Sequence, residues 1–390
     1  MYNTLTRKED YIINKIKGMF YAKGYTVVEN NNIMYPDSSI LFVNSPIIFY
    51  KEKMIQGEKI GKVLHIQEVV RTRQLKKTPP SYSLYFTLIG LIGDYEFKEQ
   101  LFYDYLDVLD QIFLIKPNEL YGTVEKNCED LKELWGKYLN ISKLCLLLSK
   151  TNKIKLDWSY GKEFPITGKG ITILANIPKI LKCSIDCSIL CECNKYKTIG
   201  DAIEISKNGK KEYFEIGLGY ERTLSATLDG SEFSVSNRKP IIEYAVKEGF
   251  PKSTARDVLG IMEAIYIIIL NGVSLSNNKQ GFILKKLIRT MYFILLKNCC
   301  YDYNDIKQKY LGFNKAWKKN YFFDVKINDI ILNEFEKTQS NVQSGYKKFI
   351  KLSNEEHIDF KYFSGTLGIP EFIILKWLND SNNKFTQNGG

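Results

Sequence analysis

Residues 213–222 read Tyr213-Phe214-Glu215-Ile216-Gly217-Leu218-Gly219-Tyr220-Glu221-Arg222. A short apolar strand runs into two glycines one residue apart, and an acid and an arginine follow where a helix would begin. Gly217 and Gly219 carry no side chains, so a flat ligand can lie against the backbone there. Arg222 offers a planar, permanently charged fork suited to a phosphate. A strand-to-helix turn also asks for glycine on its own account, so the reading depends on the neighbours of the decapeptide.

The nearest support lies upstream. Val63 to Val70 reads as one strand and Leu84 to Ile92 as its antiparallel partner, with a basic loop, Thr72 to Pro80, between them. Arg71 stands at the end of the first strand. A basic residue at that position can hold a triphosphate. Together with Arg222 it would grip the α-phosphate from two sides while a carboxylate oxygen attacks, and fixed guanidinium groups stabilise the charge that develops.

Further out, Ile12, Ile13, Ile16, Met19 and Phe20 make one helical stripe, opened by a Thr6/Glu9 capping pattern and stopped at Gly24. Tyr25 to Val28 is β-prone. Residues 98–150 read as largely helical, and 170–220 as strands with turns at Asn194 and Asn208-Gly209. From about residue 240 the pattern turns helical. One helix is capped by Ser253 or Thr254 and runs to Leu270; another runs from Gly281 to about Leu296 on a stripe of Leu284, Leu287, Ile288 and Met291. Residues 328–380 read as helical with a break at Pro370. The expected fold is α+β: an antiparallel sheet flanked by helices over residues 1–235, then a mostly helical domain over 236–390.

A net charge of +11 fits a polyanion partner such as RNA, and equally a lysine-rich background composition. No apolar run is long enough for a membrane span, and the first ten residues lack a signal-peptide stretch, so a soluble, cytoplasmic protein is expected. His65 and His357 are the only histidines, which nearly excludes histidine-based catalysis. Cys183, Cys187, Cys191 and Cys193 are spaced C-x3-C-x3-C-x-C, unlike paired C-x2-C knuckles. With Ile185 and Ile189 they would share one face of a half-buried strand, so a strand is expected here and no zinc site, with metal binding as the alternative.

Taken in order, further segments join the decapeptide. They are Lys23 to Val28, Pro36, Leu41 to Asn44, Gln67 to Arg71, Leu88 to Gly90, Gly93 to Tyr95, Phe97-Lys98, Asn271 to Val273, Ser276-Asn277, Gly281 to Arg289 and Gly365 to Pro370. In this order, along nearly the whole chain, they resemble the class II aminoacyl-tRNA synthetases and among them the alanyl-tRNA synthetase family. The resemblance implies a six- or seven-stranded antiparallel sheet and activation of an amino acid by ATP, with Mg2+ on the phosphates. The aminoacyl group then passes to a tRNA acceptor stem. It makes Pro36 the motif 1 proline and Arg71 and Arg222 the catalytic arginines of motifs 2 and 3, with Gly217, Gly219 and Glu221 completing the ATP site. It gives the amino acid, alanine or a small analogue, to Glu215, Asp201, Ile203, Trp158 and Gly217. It turns Asn277, Lys279, Lys285, Lys286 and Arg289 towards tRNA. It implies neither a membrane nor a DNA partner.

The departures are specific. The motif 2 loop is shorter, and Tyr82, Ser83 and Leu84 replace a basic run; Leu91 and Thr87 replace an asparagine and a glutamate. Glu215 replaces an aspartate, and Asp201 an asparagine, so an acceptor stands where an amide could donate. Trp158, with Gly161 after it, is either the pocket tryptophan or a core aromatic. Gly365 stands at an acidic position of the family, and Gly260 to Glu263 lack its basic character. No editing or C-terminal oligomerisation region is expected, and hence a monomer. A stand-alone ligase that passes the aminoacyl group to a carrier protein, small molecule or peptide is the alternative. A tRNA-binding paralogue without chemistry would not need Arg71, Arg222 and an acid at 215.

Overall fold

A computed structural model describes residues 11–35, 40–72, 83–148, 157–159, 166–235, 237–298, 302–353 and 359–387, with 381–387 by backbone alone. Thr6, Glu9, Pro36, Tyr82, Gly161, His357 and most of the 72–80 loop lie outside the described residues. Helix α1 (Tyr11–Ala22) buries Ile13, Ile16 and Phe20 and ends before Gly24, whose φ of 76° only glycine adopts without strain. Strands β1 (Thr26–Asn30), β2 (Lys62–Val70) and β3 (Tyr85–Asp94) follow, then α3 (Lys98–Gln111); the short α2 (Lys51–Gln56) lies between β1 and β2.

Between residues 98 and 150 the chain is less helical than its composition suggests. Strands β4 (Leu120–Glu125) and β5 (Leu144–Leu147) flank α4 (Glu129–Tyr138). Both strands are too short to show a period; β4 extends the sheet beyond β7, and β5 forms its edge. Next come β6 (Asp157–Ser159), β7 (Ile166–Asn176), β8 (Tyr196–Lys207), β9 (Lys210–Gly219) and α5 (Tyr220–Ala226). Asn208 and Gly209, both at positive φ, close the β8–β9 hairpin. The sheet order is β1-β2-β3-β9-β8-β7-β4-β5, with β6 paired to β7. It is mixed rather than wholly antiparallel, because β1 runs parallel to β2 and β4 to β5.

Alternation along the strands divides the sheet into two faces. One presents Leu64, Ile66, Ile89, Leu91, Phe214, Ile216, Leu218, Ala202 and Ile171 to α1 and α3, forming a closed core. The other is partly covered by residues 46–56, where Ile47 and Met54 pack on Ile92, Ile203, Ile205 and Tyr213.

The helical half comprises α6 (Lys239–Lys247), α7 (Lys252–Leu270), α8 (Lys279–Asn298), α9 (Tyr303–Asn320), α10 (Val325–Ser353) and α11 (Glu371–Gln387). α7 starts after Pro251 rather than at Ser253 or Thr254, since proline fixes the extended residue that precedes the first turn. The α8 stripe of Leu284, Leu287, Ile288 and Met291 is fully buried, and its core extends into Val70, Leu84 and Tyr85 of the sheet half. A buried ion pair reinforces that junction. Arg238 Nε donates to Glu263 Oε1 at 2.8 Å, and Nη2 donates to Ser83 Oγ at 3.0 Å and to the Tyr85 carbonyl at 2.8 Å. Tyr321 donates its hydroxyl to the same Glu263 oxygen at 2.6 Å.

Residues 183–193 form no strand. They belong to a loop between β7 and β8, folded through turns in which Cys187 N donates to the Ser184 carbonyl and Cys191 N to that of Ser188. The alternation that suggested a strand comes from this repeated turn spacing, with Ser, Asp and Asn supplying turn chemistry.

Candidate active site

On the partly covered face, register pairing sets His65, Gly90, Gly217, Asp201 and Thr172 side by side across β2, β3, β9, β8 and β7. One step along lie Ile92, Glu215, Ile203 and Gly170; on the other side lie Leu88 and Gly219. The row is therefore a ledge with glycines at its centre. Pro46 covers one end, since a Cβ on Gly90 would lie 3.1 Å from its Cγ. Over Gly217 the space is open, with no atom within 4 Å of where a Cβ would stand.

Acids flank that opening. Glu215 is buried and accepts from Ser45 Oγ at 3.1 Å. Asp201 accepts from Thr172 Oγ1 at 2.8 Å. Trp158 closes the far end; its ring lies over Gly170, 2.8 Å from an imagined Cβ, and joins the Ile203 cluster. Glu215, Asp201, Ile203, Trp158 and Gly217 thus fall on one continuous surface. The tryptophan packs as a core aromatic and lines the ledge as well.

The two arginines stand on separate elements that both reach Phe86. The Arg71 guanidinium stands 4.9 Å from the centre of that ring, and its Nη2 donates to the Asn44 carbonyl at 3.1 Å. A Cβ on Gly219 would lie 3.4 Å from Arg222 Cβ and 3.9 Å from the same ring. β2 and β3 pair Val69 with Phe86, which delivers Arg71 to this corner, and the β9–α5 turn delivers Arg222. Arg222 Nε donates to Glu232 Oε1 at 3.0 Å. Lys197 Nζ lies 3.8 Å from that oxygen, and burial pushes its pKa down to about 8. Burial alone would raise the Glu232 pKa, but Arg222, Lys197 and Arg238 outweigh it and keep the carboxylate ionised. Glu221 accepts from Thr87 N at 2.9 Å, and burial pushes it up to about 7 against the charge of Arg238.

The basic residues of the helical half separate into two kinds. At the tip of α8, Lys285 Nζ donates to Asn277 Oδ1 at 3.1 Å, and Lys279 and Lys286 are exposed. Gly281 permits this tip: a Cβ there would lie 2.5 Å from the Ser274 carbonyl. Arg289, one turn on, is half-buried and donates to Glu334 Oε1 at 2.8 Å. Gln280 Nε2 donates to the Leu41 carbonyl, tying the tip to the sheet half.

Phe86, Ser45, Thr172 and Glu232 were not foreseen from the sequence. Their roles come from register and from loops that cross the sheet. Only Phe86, two residues after Leu84 on a strand already identified, had a signal that could have found it.

An α+β platform that carries these motifs in this order resembles that of the class II aminoacyl-tRNA synthetases. More particularly, the chain is similar in sequence to curated alanine–tRNA ligases. It is 24% identical over 96% of its length to that of Endomicrobium trichonymphae, of which it covers 43%. It is 25% identical over 95% of its length to that of Mesomycoplasma hyopneumoniae strain 7448, of which it covers 46%. It is 25% identical over 70% of its length to that of Nitratidesulfovibrio vulgaris, of which it covers 34%. The chain thus spans less than half the length of these curated relatives. No family model matches it. Among solved structures, the histidyl-tRNA synthetase of S. aureus aligns over 55% of this chain and 68% of its own, with a TM-score of 0.33 and 11% identity. Among the described residues, no helix is long and apolar enough to cross a membrane.

Proposed function

We propose that this chain activates an amino acid with ATP on the ledge above Gly217 and transfers it to the acceptor stem of a tRNA. The observation that carries the proposal is the open floor over Gly217, flanked by Glu215 and Asp201, at whose end β2 brings Arg71 over Phe86 and the β9–α5 turn carries Arg222. Two guanidinium groups from separate elements suit a triphosphate whose α-phosphorus is under attack. The open backbone at Gly217 suits a flat nucleoside and a small amino acid. Glu215 and Asp201, each accepting from a hydroxyl, suit an ammonium group. Magnesium would come with the triphosphate as its counter-ion.

In this reading a carboxylate oxygen of the amino acid attacks the α-phosphorus; the new oxygen–phosphorus bond makes the aminoacyl adenylate, and the bond from the α-phosphorus to the oxygen bridging the β-phosphate breaks as pyrophosphate leaves. Glu215 and Asp201 hold the ammonium, Arg71 and Arg222 hold the phosphates, and Trp158 and Ile203 limit the side chain. An acid at 201 favours alanine or a small substrate with a donor group facing it. Residues 1–235 form the activating part and 236–390 the tRNA-facing part. Asn277, Lys279, Lys285 and Lys286 offer the exposed contacts, and Arg289 joins them only by releasing part of its bond to Glu334. The relatives' names support tRNA as the acceptor over a carrier protein or small molecule.

The test is pyrophosphate exchange across the twenty amino acids, followed by charging of total tRNA with whichever amino acid responds. Exchange and charging with one small amino acid is expected. Exchange without charging would overturn the tRNA step, and no exchange would overturn the activation.

A further inference from the structure

We propose that Cys183, Cys187, Cys191 and Cys193 form a tetrathiolate zinc site in the loop between β7 and β8. The four Sγ atoms all lie within 4.8 Å of one another. Cys183 and Cys191 approach to 3.3 Å, and Cys187 and Cys193 to 3.5 Å. Four thiolates at Zn–S distances of about 2.3 Å occupy the corners of a tetrahedron with edges of roughly 3.8 Å. The observed cluster is of that size, whereas two independent disulfides would require two close pairs and impose no closeness between them.

The surrounding loop explains why a metal would be useful there. Residues 177–195 join two long strands with no helix or strand of their own. Their apolar support is small: Cys187 packs with Leu174 and Tyr196, while Leu181 and Ile185 are exposed. A loop of this length without regular structure needs some other constraint to hold one shape. The turns that close on Cys187 and Cys191 aim successive cysteines at one point. Sulfur-only tetrahedral ligation selects zinc over magnesium or calcium. Binding converts four thiols to thiolates and releases their protons to solvent, leaving a site of net charge −2.

The loop base touches the arginine corner. Ile177 and Ile180 pack against Gly230, whose carbonyl accepts from Lys197, and Lys197 and Arg222 share Glu232. Zinc is thereby a structural element that helps to fix the counter-ion of Arg222. The metal assignment itself does not depend on the activity proposed above.

The experiment is metal analysis of the full chain after dialysis against a weak chelator, with a mercurial titration in a chromogenic zinc indicator. One zinc per chain, released as thiols are modified, is expected. Cobalt in its place should give intense near-ultraviolet thiolate charge-transfer bands and tetrahedral visible bands. Cys183→Ser and Cys193→Ser should lower bound zinc at least several-fold, while Cys145→Ser on β5 should retain it. The wild-type titration keeps the test decisive if a variant fails to fold. Absence of metal, a mass four hydrogens light from two disulfides, or iron in place of zinc would each overturn the assignment.

Discussion

Replacing Gly217 by alanine separates the ledge as a binding floor from the ledge as a structural element. The added methyl meets no atom within 4 Å, so the fold accommodates it. Glycine inside a strand is less stable than alanine by roughly 0.5–1 kcal/mol, so Gly217→Ala should leave stability unchanged or raise it by up to that amount. The same methyl projects into the space where the substrate is proposed to lie. One carbon too many in a fitted pocket costs about 1–3 kcal/mol, or roughly 10–200-fold in specificity. Gly93→Ala serves as the opposite control. Its Cβ would lie 2.7 Å from the Gly61 carbonyl and 3.1 Å from Leu101, so it should destabilise the protein by about 1–3 kcal/mol through overpacking. Thermal unfolding and pyrophosphate exchange, run on both variants, read the two effects. If Gly217→Ala exchanged at the wild-type rate with unchanged KM for ATP and amino acid, the ledge would not be where substrate lies.

Two further predictions concern the fold beneath the site. Glu263→Gln leaves the buried Arg238 charge without its carboxylate and should cost about 3–5 kcal/mol in urea unfolding, whereas Arg238→Met with Glu263→Met should recover much of that loss; a Glu263→Gln loss below about 1 kcal/mol would show that the pair does not anchor Arg238 at the junction. Burial raises Glu68 to about 8, so the folded state holds a proton that the unfolded state has lost above pH 4.5, and this group's contribution to stability declines as pH rises from 4.5 to 8. Glu68→Gln should flatten that decline in unfolding curves taken across the interval; an unaltered pH dependence would contradict a protonated Glu68.

The parts of the fold that were legible from sequence are those where one physical signal acted alone. The α8 stripe of Leu284, Leu287, Ile288 and Met291 was readable because apolar residues at a 3.6-residue period fall on one side of a helix, and that side is buried. β2, β3 and β9 showed as apolar runs bounded by turn residues. β4 and β5 did not, because six and four residues between helical segments carry no readable period. The cysteine loop failed for a different reason: turns repeated at regular spacing imitate strand alternation, and only Ser184, Asp186, Ser188 and Asn194 hinted at turns. Arg71 and Arg222 were legible as single residues, yet the seating of Arg71 over Phe86 emerged only from the β2–β3 register. The Arg238–Glu263 pair joins residues from different elements, and no local pattern marks it.

The central claim is that Arg71 and Arg222 act together on one nucleotide, and amino-acid-dependent pyrophosphate exchange by Arg71→Ala and Arg222→Ala tests it most directly. Each substitution should lower exchange by roughly 100-fold or more, corresponding to about 3 kcal/mol of lost transition-state stabilisation, with the fold intact by circular dichroism. Wild-type exchange by either folded variant would contradict the account.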